Sequence, residues 1–287
     1  MVIVADVELQ ENKYSNIPLI IGYFGSIHIM HNQILTRFAN FNILTFKNIP
    51  GKKSLYSDDE RLQNLAKYKP DNIYVLDLKK HNMTAHKFIN TVLKQIYPSE
   101  ILVGSDFHFG SDHKDVWELK KFFKVHTLAY NPVVSTTKIM ELLSKGEIEK
   151  ANDWCALNYY YSSKWISGRK IGRKLGCRTI NLDINHPLAL ADGAYVTKTY
   201  IGLKSYQSIS FIGKSKTTYS TKRCLETHIL NRKIPPKSIF PQSIRNKIKI
   251  EFLKEIRPNI YFESASELKA QLEKDKQFAH KYFKGNI

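Results

Sequence analysis

The chain has 287 residues, enough for two hydrophobic cores of about 100 to 150 residues each. Hydrophobic residues make up 43% and charged residues 24% of the sequence, a balance that excludes wholesale disorder. The formal net charge of +18 is spread along the chain and not gathered in one tract, which favours a solvated surface that attracts anionic small molecules over specific nucleic-acid binding.

The N-terminal segment, residues 1–16, carries Asp6, Glu8 and Glu11. These acidic residues contradict the basic start and apolar centre of a signal peptide. The longest apolar stretch, residues 17–30, is interrupted by glycine and polar residues and falls short of the roughly 18 residues that span a bilayer. We therefore expect no export and no membrane association.

The first half of the chain alternates short β-branched runs with amphipathic stretches. The runs predict strands at residues 19–24, 43–46, 73–76, 101–104 and 125–129. Helical patterns lie between them at residues 59–67 and 86–97, an order of βαβ units that predicts a Rossmann-like α/β domain with a parallel sheet. Two more helices are predicted at 136–145 and 147–157, with Gly146 as a C-cap between them. We expect this domain to span residues 1–157, with ligands at the carboxyl ends of its strands.

From residue 158 the chain is richer in Tyr, Ile, Ser and Thr. Strands are predicted at residues 194–203, 208–212, 225–230 and 248–256, a pattern typical of an all-β domain built as an antiparallel barrel. A terminal helix is predicted at 266–283, with Ser264 or Ser266 capping its start. The second domain should span residues 158–287.

Three cysteines, Cys155, Cys177 and Cys224, are widely separated and form no CxxC pair. No cluster of histidines accompanies them, so the sequence indicates no zinc site. We expect reduced thiols and a cytoplasmic protein.

Two histidines follow the first predicted strand of the Rossmann-like domain. His28 and His31 are three residues apart, which places both imidazoles on one face of a helix that is just beginning, where backbone amides can hold phosphate. Two further motifs lie in this domain, a Gly-Ser-Asp-Phe-His-Phe-Gly segment at residues 104–110 after a predicted strand and a Val-Ser-Thr-Thr-Lys-Ile-Met segment at residues 134–140 at a helix start. Taken alone, a histidine pair at this spacing is more often structural or incidental.

A basic loop with three glycines opens the second domain at residues 168–176. Its candidate nucleotide contacts are Gly168, Lys170, Gly172 and Gly176, because glycines allow backbone amides to approach phosphates closely. Thr179 and Asn181 follow and alternate onto one face of a strand, where a hydroxyl and an amide suit hydrated Mg²⁺ and phosphate oxygens. A basic surface turn explains the loop equally well on its own.

Glu226 and His228 share one face of a later predicted strand. A half-exposed strand with its polar residues turned outward gives the same pattern, so this pair has two equally good explanations without further context.

Taken in order, these motifs resemble the bacterial bifunctional riboflavin kinases/FMN adenylyltransferases, the FAD synthetase family. The first half is similar to the family patterns GxFDGxHxGH, GxDFRFG and Ser-Ser/Thr-Thr-x-Ile-Arg. The second half is similar to the GxxxGrxLGfPTAN loop, the GxY strand and the Glu-x-His strand of the family. Ile256, Arg257 and Pro258, nearer the end of the chain, also match the family pattern. The resemblance covers nearly the whole chain.

For the first domain the resemblance implies adenylylation of FMN to FAD. His28 and His31 would contact the ATP phosphates, with Ser135 and Thr137 assisting. Asp106 would lie near the adenine and the flavin.

For the second domain the resemblance implies phosphorylation of riboflavin to FMN by Mg-ATP. Glu226 would be the general base, Thr179 and Asn181 would hold Mg²⁺ and phosphates, and the loop at 168–176 would cover the nucleotide. Arg257 would help to shape the flavin pocket.

The first domain departs from the family pattern at several candidate contacts. The substituted positions are Gly25 for aspartate, Ser26 and Met30 for glycine, and His108 and Met140 for arginine. Lys138 replaces part of the lost charge, although a point charge lacks the two aligned donors of a guanidinium. We expect weak or lost adenylylation and a retained kinase, in which Arg178 stands where the family has proline.

The predicted function is flavin cofactor biosynthesis, with riboflavin, ATP and FMN as substrates, Mg²⁺ as the cofactor, and FMN and FAD as products. The alternative is a basic RNA-binding protein built on a degenerate enzyme scaffold. Retention of Thr179, Asn181 and Glu226 together favours the enzyme, because an RNA-binding module does not require that set.

Overall fold

The computed structural model describes residues 2–5, 16–129, 133–167, 178–214, 223–232 and 235–285, with backbone alone at 2–5. The chain forms two compact units, Met1–Thr136 and Thr137–Ile287. Among the described residues, no helix combines the length and the apolar character that crossing a bilayer requires.

The first unit contains a six-stranded parallel sheet and a short hairpin. The strands are β1 (Val2–Ala5), β2 (Leu19–Ile21), β3 (Asn42–Lys47), β4 (Asn72–Asp77), β5 (Ile101–Gly104), the hairpin strands β6 (His108–Phe109) and β7 (Lys114–Asp115), and β8 (Val125–Leu128). The sheet order is β1-β4-β3-β2-β5-β8, and every pairing is parallel. The predicted parallel sheet is confirmed.

This sheet order places a topological switch between β2 and β5. The chain runs from β2 outward through β3 to β4, then returns to place β5 on the other side of β2. In open α/β sheets, ligands bind outside the carboxyl ends of the strands at such a switch. The segments that follow β2 and β5 carry the predicted histidine and Gly-Ser-Asp motifs, so both border this position.

Helices cover the sheet at positions close to those predicted. They are α1 (Ile29–Leu35), α2 (Asp58–Ala66), α3 (Ala85–Phe88), a π-helical segment (Ile89–Leu93), α4 (Lys94–Ile96) and α5 (Val116–Lys120). α2 begins with a capping box in which the Ser57 hydroxyl accepts from the Glu60 amide and the Glu60 carboxylate accepts from the Ser57 amide. Tyr97, with a φ of 51°, ends the helical stretch that begins at Ala85.

β2 is shorter than predicted. The apolar run continues to Phe24, but Phe24 has a φ of 55°, which an extended strand does not allow. The chain leaves the sheet after Ile21 and enters the turn that leads to α1.

The second unit consists of helices and one antiparallel sheet. The elements are α6 (Thr136–Ser144), α7 (Ile148–Asp153), β9 (Tyr160–Ser163), β10 (Trp165–Ile166), β11 (Thr179–Leu182), β12 (Gly193–Ile201), β13 (Lys204–Lys214), β14 (Arg223–Ile229), a 3-10 turn (Lys237–Ile239), α8 (Gln242–Arg245), β15 (Ile248–Pro258) and α9 (Ala265–Phe283). The Ser264 hydroxyl caps α9 by accepting from the Glu267 amide.

The seven strands of the second unit lie in the order β10-β11-β14-β13-β12-β15-β9. β9 and β10 form opposite edges of the sheet although only Lys164 separates them in sequence. The sheet therefore curls until its edges meet, which gives the near-barrel that the sequence predicts. Each described pairing is antiparallel.

Five hydroxyl groups lie buried inside this near-barrel and bond to one another. The residues are Thr197, Thr199, Ser208, Ser210 and Thr227, each at most 2% exposed. Oxygen-to-oxygen distances of 2.8 to 2.9 Å link them across β12, β13 and β14. The network satisfies polar groups that would otherwise be costly to bury.

α7 packs on the near-barrel. The Asn152 side chain donates to the Phe252 carbonyl at 2.9 Å and accepts from the Tyr159 amide at 2.8 Å. Gly146, between α6 and α7, has a φ of 79°. Residues 137–157 thus lie in the same compact unit as the barrel, whereas our predicted domain boundary at residue 158 remains a prediction.

Candidate active sites

The turn after β2 brings the two predicted histidines together. His28 is the N-cap of α1, and its Nδ1 accepts from the His31 amide at 3.4 Å. The two rings stack with centroids 3.7 Å apart, and His31 Nδ1 donates to the Ser26 carbonyl at 2.7 Å. The prediction that both imidazoles share a face is confirmed.

Burial determines the protonation of the pair. Burial lowers the pKa of His28 to about 4, against an opposing effect of the Asp106 charge. Burial and the neighbouring His28 lower the pKa of His31 to about 3, and the Ser26 carbonyl acts in the opposite direction. Both rings are neutral at pH 7. The Nδ1 atom of His28 accepts a hydrogen bond, so the proton of this neutral ring resides on Nε2. The Nδ1 atom of His31 donates a hydrogen bond, so the proton of that ring resides on Nδ1.

The turn leaves no space for the family's aspartate at Gly25. A Cβ at this buried position would lie 2.7 Å from the Lys53 carbonyl oxygen and 3.0 Å from the Tyr23 ring. The Gly25 carbonyl also accepts from the Leu55 amide and the Ser54 hydroxyl, each at 2.9 Å. The substitution is therefore accompanied by close packing of residues 53–55 over the turn.

Ser26, another departure from the family pattern, makes a contact that glycine lacks. Its hydroxyl lies 2.9 Å from the Thr136 hydroxyl, and Ser26 is fully buried. Thr136 is the last residue of the first unit and the first residue of α6. Ser135 precedes the helix in the first unit. Thr137, Lys138 and Met140 lie on it, in the second unit.

Asp106 lies exposed on the turn after β5. The Phe107 amide donates to the Gly104 carbonyl at 3.1 Å, which closes the turn. The Asp106 carboxylate acts electrostatically on His28, so the structure brings these two predicted residues near each other. His108, which replaces the family arginine, is exposed, and its Nδ1 donates to the Asp106 carbonyl at 2.9 Å.

A cavity of about 420 Å³ opens in the first unit beside the end of β4. Leu76, Met83 and Val92 form its apolar part, and Lys80, His81 and Lys87 are among its polar lining residues. This combination suits an anionic ligand with an apolar portion. The sequence motifs gave no indication of the cavity, because its residues come from the end of β4, the loop after it and the following helical stretch, and none of them belongs to a motif.

In the second unit, antiparallel pairing assembles the predicted catalytic set. Asn181 lies opposite Glu226, and Thr179 lies opposite His228, in the β11–β14 register. The Thr179 hydroxyl donates to Glu226 Oε2 at 3.1 Å, and Asn181 Nδ2 donates to the Thr179 hydroxyl at 3.4 Å. All three side chains are half-buried and share one face of the sheet.

His228 borders this set without joining it. Its Nδ1 donates to the Arg178 carbonyl at 2.9 Å. Burial lowers its pKa, and the Lys276 charge acts in the same direction, whereas the Arg178 carbonyl and Glu273 oppose the shift. The ring therefore fixes the start of β11, just before Thr179.

Arg257 is held by Asp275. The guanidinium donates to both carboxylate oxygens, with its shortest distance 2.8 Å, and Asp275 is 2% exposed. Gln271 donates to the same carboxylate at 2.8 Å. Because Gln271 and Asp275 lie on α9, these bonds join β15 to the terminal helix. The role of Arg257 in the flavin pocket remains a prediction.

The predicted glycine loop lies outside the described residues. Gly168, Lys170, Gly172 and Gly176 belong to it, so their roles remain predictions. Within the part of the chain that the structure describes, no group of three or more His, Cys, Asp or Glu side chains is arranged to hold a metal. Two of the three cysteines, Cys155 and Cys224, are free thiols.

Family models match both halves of the chain. A model described as FAD synthetase matches residues 10–141, and one described as riboflavin kinase matches residues 156–283. A trifunctional protein RibF/MnmA of Mycoplasmoides gallisepticum is 34% identical over 271 residues, which are 93% of this chain and 40% of that protein. The chain thus spans less than half the length of that relative.

A full-length relative and a solved structure agree with the two models. A bifunctional riboflavin kinase/FMN adenylyltransferase of Buchnera aphidicola is 29% identical over 304 residues and covers 94% of this chain and 95% of that protein. A crystal structure titled as a macrolide-efflux protein from Streptococcus pneumoniae superimposes with a TM-score of 0.82 at 24% identity, covering 98% of this chain and 99% of that one, which shows a shared fold. These comparisons give no support to the RNA-binding alternative. The chain belongs to the bifunctional riboflavin kinase/FMN adenylyltransferase family, whose two domains act in flavin cofactor biosynthesis.

Proposed function

We propose that the second unit phosphorylates riboflavin with ATP and that Glu226 is the catalytic base. The observation that carries this proposal is the 3.1 Å contact between Thr179 and Glu226, with Asn181 beside them. A carboxylate next to a hydroxyl and an amide on one sheet face combines a proton acceptor with oxygen ligands for a metal-bound phosphate.

In the proposed reaction the ribityl 5′-hydroxyl oxygen attacks the γ-phosphorus of ATP. The bond between that phosphorus and the β,γ-bridging oxygen breaks, and ADP leaves. A Glu226 carboxylate oxygen takes the hydroxyl proton as the new oxygen–phosphorus bond forms. Thr179 orients the carboxylate by donating to Oε2.

The donor set fits Mg²⁺, which prefers oxygen ligands and retains several waters. Asn181 uses its Nδ2 toward Thr179, so its Oδ1 is the atom suited to a metal. Thr179 would contribute its hydroxyl oxygen. Bound Mg²⁺ would neutralise charge on the β- and γ-phosphates. Because the protein would supply few ligands, phosphate oxygens and water would fill the other coordination positions of the ion.

A chromatographic assay with riboflavin, ATP and Mg²⁺, resolving FMN from FAD, tests the proposal. We expect FMN to form with ATP and not when ADP replaces it, and chelation by EDTA should stop the reaction. Absence of FMN with well-folded protein and saturating Mg-ATP would contradict the kinase assignment.

We also propose that the first unit holds ATP for adenylylation of FMN, at a reduced rate. In that step an FMN phosphate oxygen attacks the α-phosphorus and pyrophosphate leaves, with the protein supplying position and charge. His28 offers Nε2–H to a phosphate, whereas neutral His31 becomes a donor at Nε2 only after protonation. FMN combines a flavin ring with a phosphate, the chemistry that the cavity beside β4 suits.

Four further assignments belong to this proposal. The loop containing Gly168, Lys170, Gly172 and Gly176 would cover the kinase nucleotide, and Ser135, Thr137 and Lys138 would assist the first site. The functional domains would meet near residue 158, close to where the riboflavin kinase model begins to match. A cytoplasmic location suits an enzyme that uses ATP and carries free thiols.

A further inference from the structure

Arg61, on α2, is a fully buried cation in the first unit. Its side chain is 0% exposed, and its guanidinium carbon lies 4.7 Å from the centroid of the Tyr23 ring. Nη1 donates to the Tyr23 carbonyl at 2.6 Å and to the Thr45 hydroxyl at 2.7 Å. Nη2 donates to the Phe46 carbonyl at 2.7 Å and to Asp58 Oδ1 at 2.9 Å.

Stability alone does not account for this residue. Its sole ion-pair partner among the described residues, Asp58, is 42% exposed, and Arg61 Nε is buried with no hydrogen-bond partner. A buried charge with incomplete pairing is costly, and well-packed apolar side chains often stabilise such a position better. The benefit of Arg61 must therefore come from where its bonds are directed.

Two of those bonds lead to the Tyr23 carbonyl at the start of the histidine turn, one directly and one through the Thr45 hydroxyl. The Tyr23 carbonyl accepts from both Arg61 and the Thr45 hydroxyl, the latter at 3.2 Å. The next residue, Phe24, has the left-handed φ of 55° and is 2% exposed. Its ring meets the His31 ring edge-on with centroids 5.1 Å apart.

We propose that Arg61 is a positioning residue for the nucleotide site: it holds the Tyr23 carbonyl so that Phe24 keeps its left-handed conformation and supports the stacked His28 and His31. This inference deepens the proposed function, since it assumes that the histidine turn is the site that holds ATP phosphates. Arg61 touches no substrate and acts through the turn.

Titration of the two imidazoles tests the proposal without requiring activity. The variants are Arg61→Met, which keeps much of the length and removes all donors, and Arg61→Lys, which keeps the charge with a different donor geometry. Leu65→Ala is the matched control, because Leu65 is a fully buried residue of the same helix whose apolar side chain cannot form hydrogen bonds. His28→Asn and His31→Asn assign the two resonances in NMR spectra recorded against pH.

We expect the wild-type resonances to titrate near pH 4 and pH 3. In Arg61→Met both midpoints should rise by at least one pH unit toward the ordinary value, since a loosened turn admits water to the rings. Arg61→Lys should shift them less, and Leu65→Ala should leave them in place while lowering the melting temperature. Equal shifts in Arg61→Met and Leu65→Ala, or none in either, would overturn the proposal.

If Arg61→Met does not fold, Arg61→Lys supplies the test, because a single ammonium cannot reproduce the separate Nη1 and Nη2 bonds to the Tyr23 and Phe46 carbonyls. A rise in the midpoints in Arg61→Lys supports the proposal, and an unchanged titration overturns it. If the proposed function is wrong, the wild-type protein will not bind ATP. That result is independent of the titration, so the two failures can be told apart.

Discussion

In the second unit, Thr179, Asn181 and Glu226 lie on two neighbouring antiparallel strands, and the register of those strands alone brings them together. In the first unit, His28 and His31 depend on a turn with a left-handed residue, a buried arginine and a packed loop. Strand register tolerates many substitutions outside the site, whereas a turn depends on the size of each residue in it. A substitution in the turn should therefore disturb its site more than one outside the paired strands disturbs the second site, and the following predictions test this difference.

Replacing the proposed base should give the largest effect. Glu226→Gln preserves volume and removes basicity, so we expect FMN formation to fall by about 10² to 10⁴-fold with little change in melting temperature. Glu273→Gln is the matched control on an exposed carboxylate of α9. Steady-state FMN formation measures the effect, and near-wild-type turnover in Glu226→Gln would remove this residue from the role.

Restoring the family aspartate should damage the first unit instead of repairing it. In Gly25→Asp the new Cβ meets the Lys53 carbonyl at 2.7 Å, and overpacking of this kind costs about 1 to 3 kcal/mol in the free energy of unfolding. Gly25→Ala separates the steric effect from the added charge. Both variants should have melting temperatures below that of the wild type. A Gly25→Asp protein as stable as the wild type would mean that the turn repacks to accommodate the new side chain.

The hydroxyl network should support the register on which the second site depends. Thr197→Val removes the hydrogen-bond partner of the buried Ser210 hydroxyl and should cost about 1 to 3 kcal/mol in unfolding free energy. Thr197→Ser keeps the hydroxyl and is the matched control. Urea unfolding checks the effect, and equal stabilities of the two variants would show that the network contributes little.

Sequence patterns predicted the strands and helices, whose apolar residues recur at regular spacing. They did not predict the contacts that hold the turns in place. The strands and the terminal helix follow from alternation and helical spacing, which also place Thr179 beside Asn181 and Glu226 beside His228. The pairing of β11 with β14 appears only in the structure. The network of Arg61 with the Tyr23 carbonyl joins residues 38 positions apart, and no local pattern announces such a bond. Likewise the sequence shows that Gly25 lacks a carboxylate, but only the structure shows that residues 53–55 occupy the space.

The smallest effect concerns Met140, which stands on α6 where the family has arginine. If the missing guanidinium limits adenylylation, Met140→Arg should raise FAD formation several-fold, because it adds charge and two aligned donors for a phosphate. Met140→Lys adds the charge without the fork and should help less, as the nearby Lys138 already supplies a point charge on the same helix. FAD formation from FMN and ATP in the three proteins, with equal melting temperatures as a check on folding, ranks the contributions. An increase in both variants to the same level would mean that net charge alone limits the step. No increase in either would mean that the turn geometry around Gly25, and not the lost phosphate contact, accounts for the weak adenylylation we expect.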